Sequence, residues 1–409
     1  MQKDTAYLRD LGKRLAEIAA LPIQQEKKNL WTASNDLTPV RPMVYMDQLP
    51  WHEINRSEEM TMRIEDPFLR SVEETVLRLI YRWEHFPCDM VVENRIDIPK
   101  TVHNLNYGIE IVDDVLYTDE KNDIVSHKYA DQLETAEQVD ALHLDEIWVD
   151  EQLDMEHLEM CSEIFHDIMP VRLSGEQIHS GIWDRIAQMR SVEKVLWDLV
   201  DRPEHITAIV KKFVDLTMDT VSRCEDLGIL DAELQYVHCT GAYTKDIPAP
   251  DADLSKPKAK DCWSFGMSQI FATVSPAMHE EFEIDLVRPL YERFGLLYYG
   301  CCEPLDGKID IIRKLKNVRK ISISPWADSE RGSEKIGKDY VLSLKANPAF
   351  IAVGAFEEEQ IRNQIAVAAS ACKRNGTPLE IILKDVSTVS NRLEFLDMWY
   401  KVAMEYAMG

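Results

Sequence analysis

From about residue 160 onward the chain alternates short apolar runs with helical stretches, and this rhythm constrains its fold more than any other feature. Apolar runs at 169–173, 234–237, 296–300, 319–324 and 379–383 read as strands. Helical patterns read at 191–199, 204–225, 307–316, from Ser333 and over 357–373, with a further apolar stretch at 350–354. Punctuation agrees with this division: Pro203 sits early in a helix that Gly228 ends, and Ser275-Pro276 forms an N-cap with proline at the first helical position. Strands alternating with helices pair in parallel through right-handed crossovers, and eight such units close into a barrel. The expected fold is therefore α/β, a TIM (β/α)8 barrel over residues 41–409. An N-terminal helical extension over 1–40 carries Leu8, Leu11, Leu15, Ile18 and Ala19 on one face, and Arg41 to Met46 reads as the first strand. Residues 66–86 read as a helix, Met90-Val91-Val92 as strand, and Asp131 to Asp154 as solvated surface.

Composition narrows the class of partner. With 409 residues, 46 Lys and Arg against 72 Asp and Glu, the net charge is −26, so the surface field repels nucleic acid and anionic membrane. Residues 1–20 read as a charged amphipathic helix and lack the apolar core of an export signal, and no run reaches the roughly 18 apolar residues of a membrane span. Eight scattered cysteines without a C-x-x-C pair then fit a reducing cytoplasm better than a disulfide scaffold.

Chemistry concentrates at two strand ends, where parallel α/β proteins build their sites. One carries His238-Cys239-Thr240-Gly241 and the other Cys301-Cys302-Glu303-Pro304. Imidazole and thiolate are ligands that zinc favours, and zinc makes a bound thiol or water nucleophilic near neutral pH. His238 also suits general acid/base work, and Glu303, fixed close to the strand end by Pro304, suits proton transfer or ligation. Small buried cysteines and a hydrogen-bonded structural histidine would look the same in sequence. Trp263, Tyr298, Tyr299 and Trp326 are candidates for an apolar substrate pocket, with Glu93 and Arg95 at an earlier strand-to-loop transition. Asp328, Arg331 and Gly332 could bind an anion or simply cap a helix, and Met43, Met46, Met60 and Met62 could form a docking rim or fill a core.

The order of elements resembles the uroporphyrinogen decarboxylase superfamily, a TIM-barrel group that includes zinc-dependent, corrinoid-linked methyltransferases. The matching residues run thinly over about 40–405: Gly181-Ile182-Trp183-Asp184 through Leu196, Asp201-Arg202-Pro203-Glu204-His205, Asp261-Cys262-Trp263, Ser275 through Phe282, and the strand before Cys301-Cys302. The decarboxylases follow an Arg-Pro-Pro strand with arginines that meet a porphyrinogen's carboxylates. Here Asp47 and Gln48 follow Arg41-Pro42, and an acid at short range would repel a polyanion by a few kcal/mol, to order of magnitude. The methyltransferase branch holds zinc with a His-x-Cys pair and a later Cys. The corresponding segments here are Tyr299 to Glu303, which lacks the histidine, and Ile382 to Val386, where Asp385 stands in place of cysteine; His238 could substitute from an earlier strand.

The resemblance thus implies methyl transfer between a small-molecule or thiol substrate and a corrinoid protein. Zinc would be held by some of His238, Cys301, Cys302, Glu303 and Asp385. No Asp-x-His-x-x-Gly cobalt-ligating motif is present, so the corrinoid would come from a separate partner protein. The alternative is a metal-independent decarboxylase of a small carboxylic acid with His238 or Glu303 as acid/base, and a non-catalytic binding barrel is third. A homodimer is the assembly to expect.

Overall fold

In the computed structural model, which describes residues 2–116 and 125–409, six strands form one parallel sheet. They are β1 (Met43–Met46), β2 (Trp263–Gly266), β3 (Leu296–Tyr299), β4 (Val318–Ile323), β5 (Val341–Ala346) and β6 (Leu379–Leu383), in the order β1-β6-β5-β4-β3-β2. Each is almost wholly buried, as expected of parallel strands covered on both faces, which read as near-continuous apolar runs. Among the described residues the fold is mixed α/β, and the expected eightfold ladder does not close. Two edges remain. At β1, Asp89 takes the place of a neighbouring strand: its N–H donates to Val44 O (2.9 Å) and its carboxylate accepts from Val44 N (2.7 Å). At β2, Ser180 N donates to Phe265 O (3.0 Å) beside a lone parallel bridge from His179. Ile96–Pro99 and Val171–Ser174 pair only with each other.

The helices form where their punctuation says they should. Pro67–His85 is capped by Asp66, whose side chain accepts from Leu69 N, and the helix Pro203–Leu227 ends at Gly228 in the left-handed conformation. The N-terminal helices Gln2–Ala19 and Pro22–Asn35 bury Leu8, Leu15 and Trp31 in the main core; residue 1 lies outside the described residues. The acidic segment after Asp131 is less solvated than its composition suggests. Leu133, Leu142 and Ile147 are buried, and Asp131 pairs with the buried Arg190.

Several local expectations shift. The strand expected at 90–92 lies at Ile96–Pro99, the helix expected at 307–316 shrinks to Ile309–Ile312, and 350–354 lies on and just after the short helix Ala349–Ala352. The strand of that unit is β5, whose Ser343 and Lys345 interrupt the apolar run that usually marks a buried strand. No described helix is long and apolar enough to cross a membrane.

A polar layer threads the sheet's interior. Lys320 on β4 donates to Glu380 Oε2 on β6 (2.8 Å), Thr240 Oγ1 (3.0 Å) and Gly241 O (2.9 Å), and Tyr298 donates to Ser343 Oγ (2.9 Å). The hairpin that pairs Tyr236–Val237 with Thr240–Gly241 lies over this layer, and Gly241 lets it do so. A Cβ there would come within 2.5 Å of the Trp31 ring.

Candidate functional site

Parallel strands place all their C-terminal ends on one edge, so the loops after β1, β2, β3 and β6 meet there. Five non-glycine residues on those loops and the hairpin turn adopt positive φ: His238 (54°), Gln48 (47°) and Asp385 (56°), with Ser390 (56°) and Asn391 (57°) farther along the loop after β6. Such backbone strain gathers at sites whose side chains must point in a particular direction. Gly300 has φ 94° directly after β3, and a Cβ there would strike Leu305 at 2.3 Å, so only glycine makes this turn into Cys301-Cys302.

The centre of the arrangement is Lys384, which follows β6. Its Nζ lies 2.9 Å from Cys301 Sγ, 3.2 Å from His238 Nε2 and 3.2 Å from Asp385 Oδ2. Two of its N–H donors have hydrogen-bond acceptors in Cys301 and His238, and the Asp385 carboxylate adds an ion pair. Burial pulls the Lys384 ammonium toward neutrality, but Coulombic attraction to Cys239 and Cys301 outweighs it and the net shift is upward. Burial lowers the His238 pKa below its ordinary value; the hydrogen bond to Cys301 pulls it upward, and the Lys384 charge, a smaller cause, adds to the fall. A neutral ring can accept at Nε2, as the geometry requires.

The charge reaches solvent through sulfur. Cys301 is buried and Cys302 half-buried, with the two Sγ atoms 3.5 Å apart. Cys301 accepts from Lys384, and a hydrogen bond in which either sulfur can donate joins it to Cys302; this bond is the largest cause that lowers the Cys302 pKa and raises that of Cys301. Burial and Asp385, 3.6 Å from Cys302 Sγ, oppose the fall at Cys302. The downward shift thus falls on the more accessible sulfur, which is also placed to donate its S–H to Asp385 Oδ2. A cavity of about 340 Å³ bounded by Trp51, His52, Leu49 and Val386 opens beside Asp385.

Of the residues singled out in the sequence, His238, Cys301, Cys302 and Asp385 come together, although His238 stands in a hairpin turn and not at the end of a parallel strand. Glu303 lies beneath them, fully buried. Its oxygens accept from Ser268 N (3.0 Å) and Cys301 N (2.9 Å), tying the loop after β2 to the loop after β3. That occupation suits a residue that positions the two loops. Glu303→Gln should lower activity about tenfold by facing one backbone N–H with an amide N–H, a loss of about one hydrogen bond. The pH profile should keep its shape; a missing acid or basic limb would restore Glu303 as the proton carrier.

The substrate-pocket candidates scatter. Trp263 is core, its Nε1 donating to Ala242 O (2.9 Å), and Tyr299 turns to the opposite face of β3 from Tyr298, with its hydroxyl 2.7 Å from His279 Nε2. Trp326 is 72% exposed. Glu93 pairs with Lys28 and lines a separate cavity of about 310 Å³ with Arg95, Asp97 and Arg172. Asp328 caps the helix Ser329–Ile336, Arg331 pairs with Asp306, and Met43, Met46 and Met60 are core. Sequence reasoning missed Lys384, together with Lys345, whose Nζ lies 2.9 Å from Cys239 Sγ, and Lys320. Their signal was a lysine at the end of, or within, an otherwise apolar strand.

The fit to zinc is decided by the same lysine. Cys301, Cys302 and Asp385 bring ligand atoms within 4.8 Å of one another, and two sulfurs with an oxygen suit zinc chemically. Lys384 Nζ, however, sits among these donors. A dication about 4 Å from that ammonium would meet roughly 8 kcal/mol of repulsion at an effective dielectric of about 20. With Lys384 charged, these residues do not fit a divalent metal.

No protein-family model matches this chain, and no curated protein matches it in sequence. Its fold is similar to a solved structure described as a methyltransferase from Methanosarcina mazei, with a TM-score of 0.50 and 11% sequence identity, over 93% of this chain and 98% of the other.

Proposed function

We propose that this chain is a methyltransferase that moves a methyl group between a small-molecule or thiol substrate and a corrinoid protein, with Cys302 as the sulfur that receives it. The reading rests above all on the relay from Lys384 through Cys301 to Cys302, 2.9 Å and 3.5 Å long, which delivers hydrogen-bonded stabilisation to a half-buried thiolate. The fold shared with a methyltransferase, and the resemblance in the order of elements, support it. In the forward step the Cys302 thiolate attacks the methyl carbon; the sulfur–carbon bond forms while the bond from carbon to donor breaks, and its electron pair stays with the donor. When the methyl group moves on, charge returns to Cys302, and the Cys301 S–H is placed to meet it. A substrate that fits the cavity beside Asp385 would be small.

Metal-independent decarboxylation would require a cation free to hold the substrate carboxylate. Lys384 is already held by Cys301 and His238 and paired with Asp385, so the same geometry favours methyl transfer. A non-catalytic barrel would bury His238 and both cysteines, whereas His238 and Cys302 are only half-buried.

The test is incubation of the purified chain with methylcobalamin, a free stand-in for the corrinoid protein, followed by peptide mass mapping. Cys302 should gain the mass of one methylene and lose it again on addition of cob(I)alamin. Retention of unmodified Cys302 throughout, with no methylated thiol formed, would overturn the reading.

A further inference from the structure

We propose that Lys384 is the resident cation of this site: its ammonium occupies the position among Cys301, His238 and Asp385 that a divalent metal would occupy, and so excludes one. The inference concerns what holds the sulfur site together; it rests on the methyl-transfer reading only for what the sulfur then does.

Three observations carry it. First, the acceptors come from three separate parts of the chain, the loop after β3, the hairpin turn and the loop after β6, and all converge on one nitrogen at 2.9–3.2 Å. Thiol, imidazole and carboxylate are metal-type donors, and the lysine nitrogen takes their common centre, hydrogen-bonded to the first two and ion-paired with the third. Second, Lys384 is 3% exposed and directly follows the buried Leu383, so its charge has no open route to solvent. Third, the neighbouring strands repeat the device. Lys345 donates to Cys239 Sγ (2.9 Å) and Ser343 Oγ (3.0 Å), while Lys320 is held by Glu380, Thr240 and Gly241. Three buried ammonium groups thus stand on adjacent strands or their ends, with the fully buried Glu380 among them, inside a chain whose net charge is −26. An added dication would join an interior already rich in positive charge.

The experiment is zinc competition against a chromogenic chelator, using the full chain. The parent protein should bind zinc weakly at this site. Lys384→Met, which keeps the length of the side chain and removes its charge, should bind about tenfold more tightly or better. Adding Cys302→Ser to Lys384→Met should abolish that gain. Stoichiometric zinc retained by the parent through chelator treatment, or no gain in Lys384→Met, would overturn the proposal. A second measurement needs no variant: iodoacetamide should alkylate Cys302 in the parent at the same rate with and without excess chelator. A rate that changes with chelator would also overturn it. Neither measurement uses a methyl donor, so the methyl-transfer reading can fail while this one stands.

Discussion

Cys302→Ser is expected to lower methyl transfer at least about a hundredfold while leaving the urea unfolding midpoint nearly in place. Serine keeps the size of the side chain, and the position is only half-buried, so little packing is lost. What is lost is the thiolate, because an alcohol is almost wholly protonated near neutral pH and is a far weaker nucleophile. Cys301→Ser should behave differently. Its hydroxyl can still accept from Lys384 and donate to Cys302, so a fall of about tenfold is expected, the worth of one weakened hydrogen bond at about 1.4 kcal/mol. The two rates, measured with methylcobalamin and compared with unfolding curves, separate nucleophile from donor. If Cys302→Ser kept half the parent rate, Cys302 could not be the sulfur that accepts the methyl group.

The second large effect is on stability. Lys320→Met should reduce the unfolding free energy by about 3–5 kcal/mol, because it leaves Glu380 ionisable, fully buried and without its principal partner. The same change removes donors to Thr240 and Gly241 and a cation 5.0 Å above the Trp31 ring, loosening the hairpin that carries His238. The double variant Lys320→Met/Glu380→Leu should recover much of the loss, since no buried charge is then left unpaired. Urea denaturation of the single and double variants decides this, and a single-variant loss below about 1 kcal/mol would contradict a tightly coupled pair. Acid should act in the same direction. Burial raises the Glu380 pKa, but Lys320 and Lys345 outweigh it and hold the carboxyl below its ordinary value. A depressed carboxylate stabilises the fold above its unfolded value of about 4.3, and that contribution is lost as pH falls through the folded one.

Much of the site was visible in sequence one position at a time. Cys301-Cys302 after an apolar run, with a glycine before it, marks a strand handing over to a loop, and Asp385 stands at a second such handover. Tyr299 shows where such reading stops. In sequence it is as plausible a pocket residue as Tyr298, yet alternation along β3 sends the two rings to opposite faces, and only the packed sheet shows which face meets the site. In sequence Glu303, held near the strand end by Pro304, suits a ligand, a proton carrier or an N-cap toward the helix near 307. Its two backbone N–H partners, one of them 35 residues away, identify what it does.

The sequence by itself determined the strands β1, β3, β4 and β6, the helices between them, their parallel pairing and the edge on which chemistry would gather. These follow from local periodicity, caps and chain direction, which act over a few residues at a time. Tertiary structure alone decided whether the ladder closed, because closure depends on what lies beside β1 and β2: a carboxylate at one edge and a lone bridge at the other. It also decided the chemistry of the sulfur pair. Lys384 meets Cys301 across 83 residues and His238 across 146, contacts to which no local spacing points. A lysine at the end of an apolar strand destabilises the fold unless acceptors converge on it, so the position of the charge is a property of the assembled interior and not of the strand that carries it.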